Sequence, residues 1–347
     1  MSTHILCKGV TVRYLLRAEC VDGNPEEKRG EDVKGRDEFI KIFSMNIRRI
    51  LEQVNIDTAR MQEIRLRAGR PLLITLDGQE FFVTETGALT TDVKSGWRVS
   101  KKEISETMEY ISNYSMYAYE EELRQGFLTI GGGHRIGIAG KAVMDGGRIR
   151  SIQNISFLNV RVAHEVPGCA DAVLPHMIQD GEVCHTLIIS PPGCGKTTLL
   201  RDLIRQISNG GTWCRGRTVG VVDERSEIGG AYLGVPQNDL GIRTDLLDCC
   251  PKAEGMMLLI RSMAPKVLAV DEIGSEADIY AIESAVNCGC RILATVHGNG
   301  IEDIRRKPIL CRMVEERVFE RYITLHNLGG IGTVKQILGR DGENLYV

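Results

Sequence analysis

A parallel α/β domain built around a phosphate-binding loop, preceded by a smaller α+β domain, is the fold class that the 347-residue sequence predicts. Three observations predict it. Four short apolar runs in the second half (186–189, 218–222, 267–270 and 292–296) alternate with helical patterns, as buried parallel strands do. The first of these runs leads straight into a glycine-rich segment ending in Lys196 and Thr197. The first half instead alternates apolar and polar residues between turn signals, with only two helical patterns. The expected division is an N-terminal extension at 1–38, an α+β domain at 39–165 and the phosphate-loop domain at 166–347.

Composition narrows the class of function. Lys plus Arg number 43 against 46 Asp plus Glu, a net charge of −3, so no global field favours nucleic acid. Aromatic residues are 5% of the chain, which leaves few platforms for stacking bases. No apolar run approaches the ~18 residues of a membrane span. Eleven cysteines without a C-x-x-C pair read as reduced thiols of a cytosolic protein rather than as a zinc or disulfide framework.

In order along the chain, residues 1–38 are polar and charge-dense and read as a poorly ordered extension. Ile40, Ile42, Phe43, Ile47, Ile50 and Leu51 follow helical spacing. Alternating segments at 63–69 and 72–78 read as strands, and Asp77-Gly78 marks a hairpin before Phe81. A second helix is expected over 102–111, opened by Ser100 as N-cap with Glu103 three residues on. Strands at 127–130 and 135–138 flank Gly131, Gly132 and Gly133.

The chemistry begins at 190. Ser190, Pro191, Pro192, Gly193, Cys194, Gly195, Lys196 and Thr197 match the G-x-x-x-x-G-K-[ST] phosphate loop, with Ser190 in place of the first glycine. Gly193 and Gly195 let backbone N–H groups of 192–198, Pro192 having none to give, turn toward a β-phosphate. Lys196 reaches the β- and γ-oxygens, and the Thr197 hydroxyl ligates Mg²⁺. Leu199, Leu200, Leu203, Ile204 and Ile207 form an apolar stripe behind it, so the loop sits at a helix N-terminus. At 267–272 a strand ends in two acids: Asp271 would hold Mg²⁺ through water, and Glu272 would act as general base. Asp223 and Glu224 repeat this pattern on another strand. Glu224 reads either as a water-polarising group or as an ion-pair partner of Arg225 or Arg243. His297, closing the last apolar run, reads as a γ-phosphate sensor. Cys194, inside the loop, predicts that thiol alkylation blocks ATP binding and that Mg-ATP protects.

The order of phosphate loop, acidic segment 223–227, Asp271-Glu272 and the Thr295–His297 segment resembles the secretion-type ATPases of the RecA-like superfamily, the engines of type II and type IV secretion and pilus assembly. Within that group, segments 131–140, 159–165, 241–248 and 319–324 resemble the stage III sporulation AA family of endospore formers. The resemblance spans about 40–340. It implies a RecA-like P-loop ATPase that uses ATP and Mg²⁺ and works as a homohexamer. It also implies an integral-membrane component of a secretion or channel complex as partner, and a place in the mother-cell cytoplasm, peripheral to the membrane. Nucleic acid is not an expected partner, although a nucleic-acid translocase and a nucleotide-gated scaffold are the alternatives. Arg261 corresponds to an arginine ahead of the second acidic motif. Arg135 and Arg161 are the arginines expected to complete the ATP site, with ordinary ion pairing as the alternative. Three departures stand out: Ser190, Gly274-Ser275 where an arginine is common, and residues 1–38, which resemble nothing recognisable.

Overall fold

The computed structural model describes residues 39–55, 60–115, 119–326 and 332–346; the expected extension at 1–38 lies outside the described residues. The first unit holds α1 (Met45–Gln53), β1 (Met61–Arg67), β2 (Leu73–Leu76), β3 (Gln79–Val83), β4 (Leu89–Thr90), α2 (Lys101–Ile111), α3 (Glu120–Gln125), β5 (Phe127–Thr129), β6 (Arg135–Asp145) and β7 (Arg148–Arg161). Its strands form one sheet in the order β4-β3-β2-β1-β7-β6-β5. Asp77 and Gly78 both adopt positive φ between β2 and β3, the two left-handed residues that a tight hairpin turn requires. Ser100 caps α2 with a complete capping box to Glu103. Phe43, Ile47 and Ile50 are fully buried with Ile104, Leu66 and Ile136, joining helices and sheet in one core.

The second unit follows α4 (Leu174–Met177) and the short hairpin β8 (Ile178–Gln179) and β9 (Glu182–Val183). Its elements are β10 (Thr186–Ser190), α5 (Lys196–Asn209), β11 (Val219–Asp223), β12 (Thr244–Asp248), α6 (Lys252–Ser262), β13 (Val267–Val270), α7 (Glu276–Asn287), β14 (Arg291–His297), α8 (Ile301–Arg305), α9 (Pro308–Glu315), β15 (Arg321–His326) and β16 (Thr333–Gly339). The sheet order is β12-β11-β13-β14-β10-β15-β16, parallel except for β16. The apolar runs are continuous because both faces of this sheet are covered. Ile188 enters one core with Val221 and Leu203, whereas Leu187 and Ile189 enter the other with Val222 and Ile282.

Three features differ from the sequence reading. The first helical pattern is broken at Ser44, whose extended ψ of 153° separates a short turn at 39–40 from α1. β12 is a half-buried edge strand rich in Asp and Thr, so it shows no apolar run. β7 is 14 residues long and mostly polar, because most of its length pairs only with β6 as a solvent-exposed ribbon.

Between the units the contacts are polar. The Gly132 N–H donates to Gln237 Oε1 at 3.0 Å. Close to this seam, within the first unit, His134 Nδ1 accepts the Ala163 N–H at 3.1 Å. The His134 ring lies against Phe39 with centroids 4.5 Å apart. Burial, with a smaller contribution from His164, lowers the His134 pKa to about 4. The unfolded imidazole titrates near 6.5, so between pH 6.5 and 4 the unfolded chain binds a proton that the folded chain refuses. Stability that is complete at pH 7 is therefore lost as pH falls through that window, by about 3 kcal/mol at most. In urea unfolding between pH 7 and pH 4, His134→Gln, which keeps an acceptor for Ala163, should lose less stability than wild type; parallel curves would exclude His134 as the source.

Candidate active site

The phosphate loop leaves the centre of the second sheet. Ser190 is fully buried at the end of β10, and its hydroxyl turns back to the Pro191 carbonyl at 2.9 Å. Gly193 (φ 72°) and Gly195 (φ 83°) are left-handed, a conformation that favours glycine whatever the space around it. A Cβ at Gly193 would meet nothing within 4 Å, so the backbone bend and not crowding demands glycine there. Gly195 is the N-cap of α5, which places Lys196, Thr197 and Thr198 in the helix's first turn, where backbone N–H groups and the helix dipole favour an anion.

Beside the loop, one buried hydroxyl organises both acids that follow β13. Thr295 on β14 donates its Oγ1–H to Asp271 Oδ1 and accepts the Glu272 N–H at 2.9 Å. Thr197 donates to the other carboxylate oxygen of Asp271 at 2.7 Å. Thr197 Oγ1 and Asp271 Oδ2 are hard oxygen donors beside a phosphate cradle, the setting in which Mg²⁺ is held by one carboxylate, waters and substrate phosphates. Among the described residues no cluster of three His, Cys, Asp or Glu side chains could hold a metal alone, so this site fits only a shared ion.

Glu272 gathers the remaining groups. It is left-handed, with φ 55°, a strained position for a residue with a side chain. The Lys196 ammonium lies 2.5 Å from its Oε1 and His297 Nε2 lies 2.9 Å from the same oxygen. The Arg225 guanidinium lies 3.1 Å from Oε2. Burial pushes the Glu272 carboxyl up, but the Lys196 hydrogen bond and charge, then His297 and Arg225, outweigh it and hold the pKa below its usual value. Glu272 is thus an ionised base at neutral pH. His297 Nδ1 is buried and has no hydrogen-bond partner among the described residues.

Across residues 33–345 the sequence matches the family model described as sporulation stage III, protein AA. The chain belongs to that family. Stage III sporulation protein AA of Bacillus subtilis (strain 168) is 41% identical over 285 residues, covering 82% of this chain and 89% of the relative. The match takes in residues 33–38, which on sequence alone resembled nothing. Protein SEEDLING PLASTID DEVELOPMENT 1 of Arabidopsis thaliana is 30% identical over 169 residues, 47% of this chain and 24% of that protein. Among solved structures, the Legionella pneumophila ATPase DotB superposes with a TM-score of 0.52 at 18% identity, over 80% of this chain and 74% of its own. The pilus retraction motor PilT with bound ADP gives 0.52 at 16% identity, over 81% and 78%. The chain thus shares the fold of these two ATPase structures.

Several residues singled out from the sequence of this family member fall elsewhere. Glu224 is ion-paired with Lys252, not with Arg225 or Arg243, and no contact directs it at the phosphate loop. Asp223 is buried and accepts the N–H groups of Glu227, Ile228 and Gly229, each at 2.8 Å, so it shapes a loop and does not face the crevice. Burial raises its pKa to about 6 despite those bonds. Arg135 pairs with Glu227 and stacks over Phe127, 3.8 Å from the ring centroid. Arg161 pairs with Glu63 at 3.4 Å. Arg261 is exposed at the last turn of α6, which leads to the amino end of β13, whereas Asp271 follows its carboxyl end. The parallel sheet therefore separates Arg261 from this chain's own acids. Arg201 on α5 had no signature in the sequence, yet it donates to the backbone carbonyls of Glu227 (2.7 Å), Ile228 (2.8 Å) and His164 (3.2 Å).

Cys194 is the clearest correction. Its side chain is 2% exposed and joins the apolar core with Leu199 and Leu203, so only its backbone faces the cradle. Brief treatment with maleimide should modify the exposed Cys288, with Cys249 slower because burial and Asp248 raise its thiol pKa to about 12, and peptide mass spectrometry should find Cys194 unmodified whether or not Mg-ATP is present. Rapid, nucleotide-protected labelling of Cys194 would contradict this burial.

Proposed function

We propose that this chain is a Mg²⁺-dependent ATPase whose hydrolysis drives motion between an α+β domain (39–165) and a RecA-like P-loop domain (166–347). The observation that carries the reading is the convergence of Lys196, Glu272, His297, Thr197 and Asp271 at the carboxyl edge of one parallel sheet, where such sheets bind ligands. The backbone of 193–198 cradles the phosphates, and Lys196 moves from Glu272 to the β- and γ-oxygens. Thr197 and Asp271 would hold Mg²⁺, which would supply neutralisation of the developing phosphate charge. Glu272, released from Lys196, takes the proton of the attacking water. His297 is placed to hydrogen-bond the γ-phosphate and report its loss.

Membership of the sporulation family supports a role in sporulation, and the fold shared with a pilus retraction motor supports a motor ATPase. A setting at a membrane channel of the mother cell and a homohexameric ring are part of the same proposal. No helix among the described residues is long and apolar enough to cross a membrane. An integral-membrane partner of the channel complex is therefore the proposed means of recruitment.

Purified protein should hydrolyse ATP only with Mg²⁺, with a rate per subunit that rises with protein concentration as rings assemble. Lys196→Ala and Glu272→Gln should each lower turnover at least ~100-fold, Lys196→Ala with loss of ATP binding and Glu272→Gln without it. Single-stranded DNA should leave the rate unchanged. Unaltered turnover in both variants would dismiss this site, and strong stimulation by DNA would favour a nucleic-acid translocase.

A further inference from the structure

A P-loop domain leaves the outer side of the γ-phosphate open, and an arginine from elsewhere commonly neutralises it. The two first-domain arginines that resemblance put forward are already engaged. Arg135 is held between Glu227 and the Phe127 ring, with its side chain 19% exposed, and Arg161 pairs with Glu63 on its own sheet. A third arginine stands nearer. Arg225 follows β11 at the same carboxyl edge, and its Nη1 reaches Glu272 Oε2 at 3.1 Å. The other oxygen of that carboxylate holds Lys196, so Arg225 and the phosphate-loop lysine are separated by a single carboxylate.

Three properties suit Arg225 to a phosphate. Its side chain is 60% exposed, so it can swing without breaking a core. Nη1 alone has a protein partner among the described residues, leaving the fork of donors for oxygens in bidentate geometry. Its partner is the residue that must be freed for chemistry, since a base still paired with Arg225 and Lys196 is poorly disposed to take a proton. A γ-phosphate arriving beside Lys196 would draw both cations to its own oxygens and leave the Glu272 carboxylate to the attacking water.

We propose that Arg225 is the arginine of this chain that reads the γ-phosphate, supplied within the same subunit by the loop after β11. This rests on the ATPase reading above and goes beyond it by naming an arginine that, beside His297, distinguishes ATP from ADP. The proposal differs from a structural ion pair in what it predicts. A residue that merely shapes the site affects both nucleotides alike, whereas a γ-phosphate contact affects only ATP.

The test is binding of Mg-ATPγS and Mg-ADP to the full chain by calorimetry, with steady-state hydrolysis alongside, for wild type, Arg225→Ala, Arg225→Lys and Arg135→Ala. Arg225→Ala should weaken Mg-ATPγS binding at least ~10-fold, leave Mg-ADP within ~2-fold, and lower kcat ~100-fold or more. Arg225→Lys, which keeps the charge and loses the fork, should fall between. Arg135→Ala should not change the ratio of the two affinities. Equal weakening of both nucleotides, or no change in either, would overturn the proposal; so would a changed ratio in Arg135→Ala with none in Arg225→Ala. Wild-type protein that binds neither nucleotide would instead overturn the ATPase reading on which it stands, and loss of fold in Arg225→Ala, checked by circular dichroism, leaves Arg225→Lys to decide.

Discussion

The hydroxyl of Thr295 sets the geometry on which the rest of the site depends. It is fully buried on the central strand β14, donating to Asp271 and accepting from the Glu272 amide, so a single rotor fixes two consecutive acids relative to the phosphate loop. The cost is a left-handed backbone at Glu272, of order 1–3 kcal/mol for a residue with a Cβ. That conformation persists because the chain on both sides is held: Val270 lies in the sheet, and the Ile273 amide donates to the Thr295 carbonyl at 2.9 Å. The turn aims the Glu272 side chain across to Lys196, whereas Asp271 meets Thr197. Two acids that adjoin in sequence thus have separate partners, a hydroxyl for Asp271 and an ammonium for Glu272.

The loop after β11 solves a second problem, that of tying the site to the other sheet. Asp223 gathers three backbone amides into its buried carboxylate, which closes 227–229 into a fixed curve. That curve is held by Arg201 from the phosphate-loop helix and touched by Arg135 from the first sheet. Its beginning carries Arg225 to Glu272. One short loop therefore contacts the base, the helix behind the phosphates and the neighbouring unit. Any displacement of Glu272 or α5 bears on the same few hydrogen bonds.

The site's outline was legible in the sequence because its elements are consecutive. A glycine-rich segment between an apolar run and a helical stripe admits few folds, and two acids or a histidine at the end of an apolar run lie at a strand's carboxyl end. Partners across space were not legible. Nothing near Glu224 in the sequence indicates Lys252, and Arg201, on the helix's polar side, looks like any surface arginine until its three carbonyl acceptors are seen. Cys194 lies in the motif, but whether its thiol faces ligand or core depends on how the loop sits over Leu199 and Leu203. The fold was legible where strands are buried on both faces. It was obscure for β7 and β12, whose polar residues face water and leave no apolar run.

Among the described residues the two units share no buried apolar cluster. The buried members of one cluster run from Phe39 to Val160, and those of the clusters flanking the second sheet run from Ala170 to Ile337. Among the contacts that cross between them are Gln237 to the Gly132 amide, Arg201 to the His164 carbonyl, the Asp239 amide to Glu165, the Arg135–Glu227 pair and a hydrogen bond between Tyr119 and Tyr232. Contacts of this kind exchange readily for water, so separating the units exposes little hydrocarbon and the penalty stays small. An apolar seam would instead have locked the pair in one arrangement. Under the proposed function, a change in the relation of the two sheets as a phosphate comes and goes calls for stiff units joined by polar contacts rather than by hydrocarbon, and the described contacts between these units are of that kind.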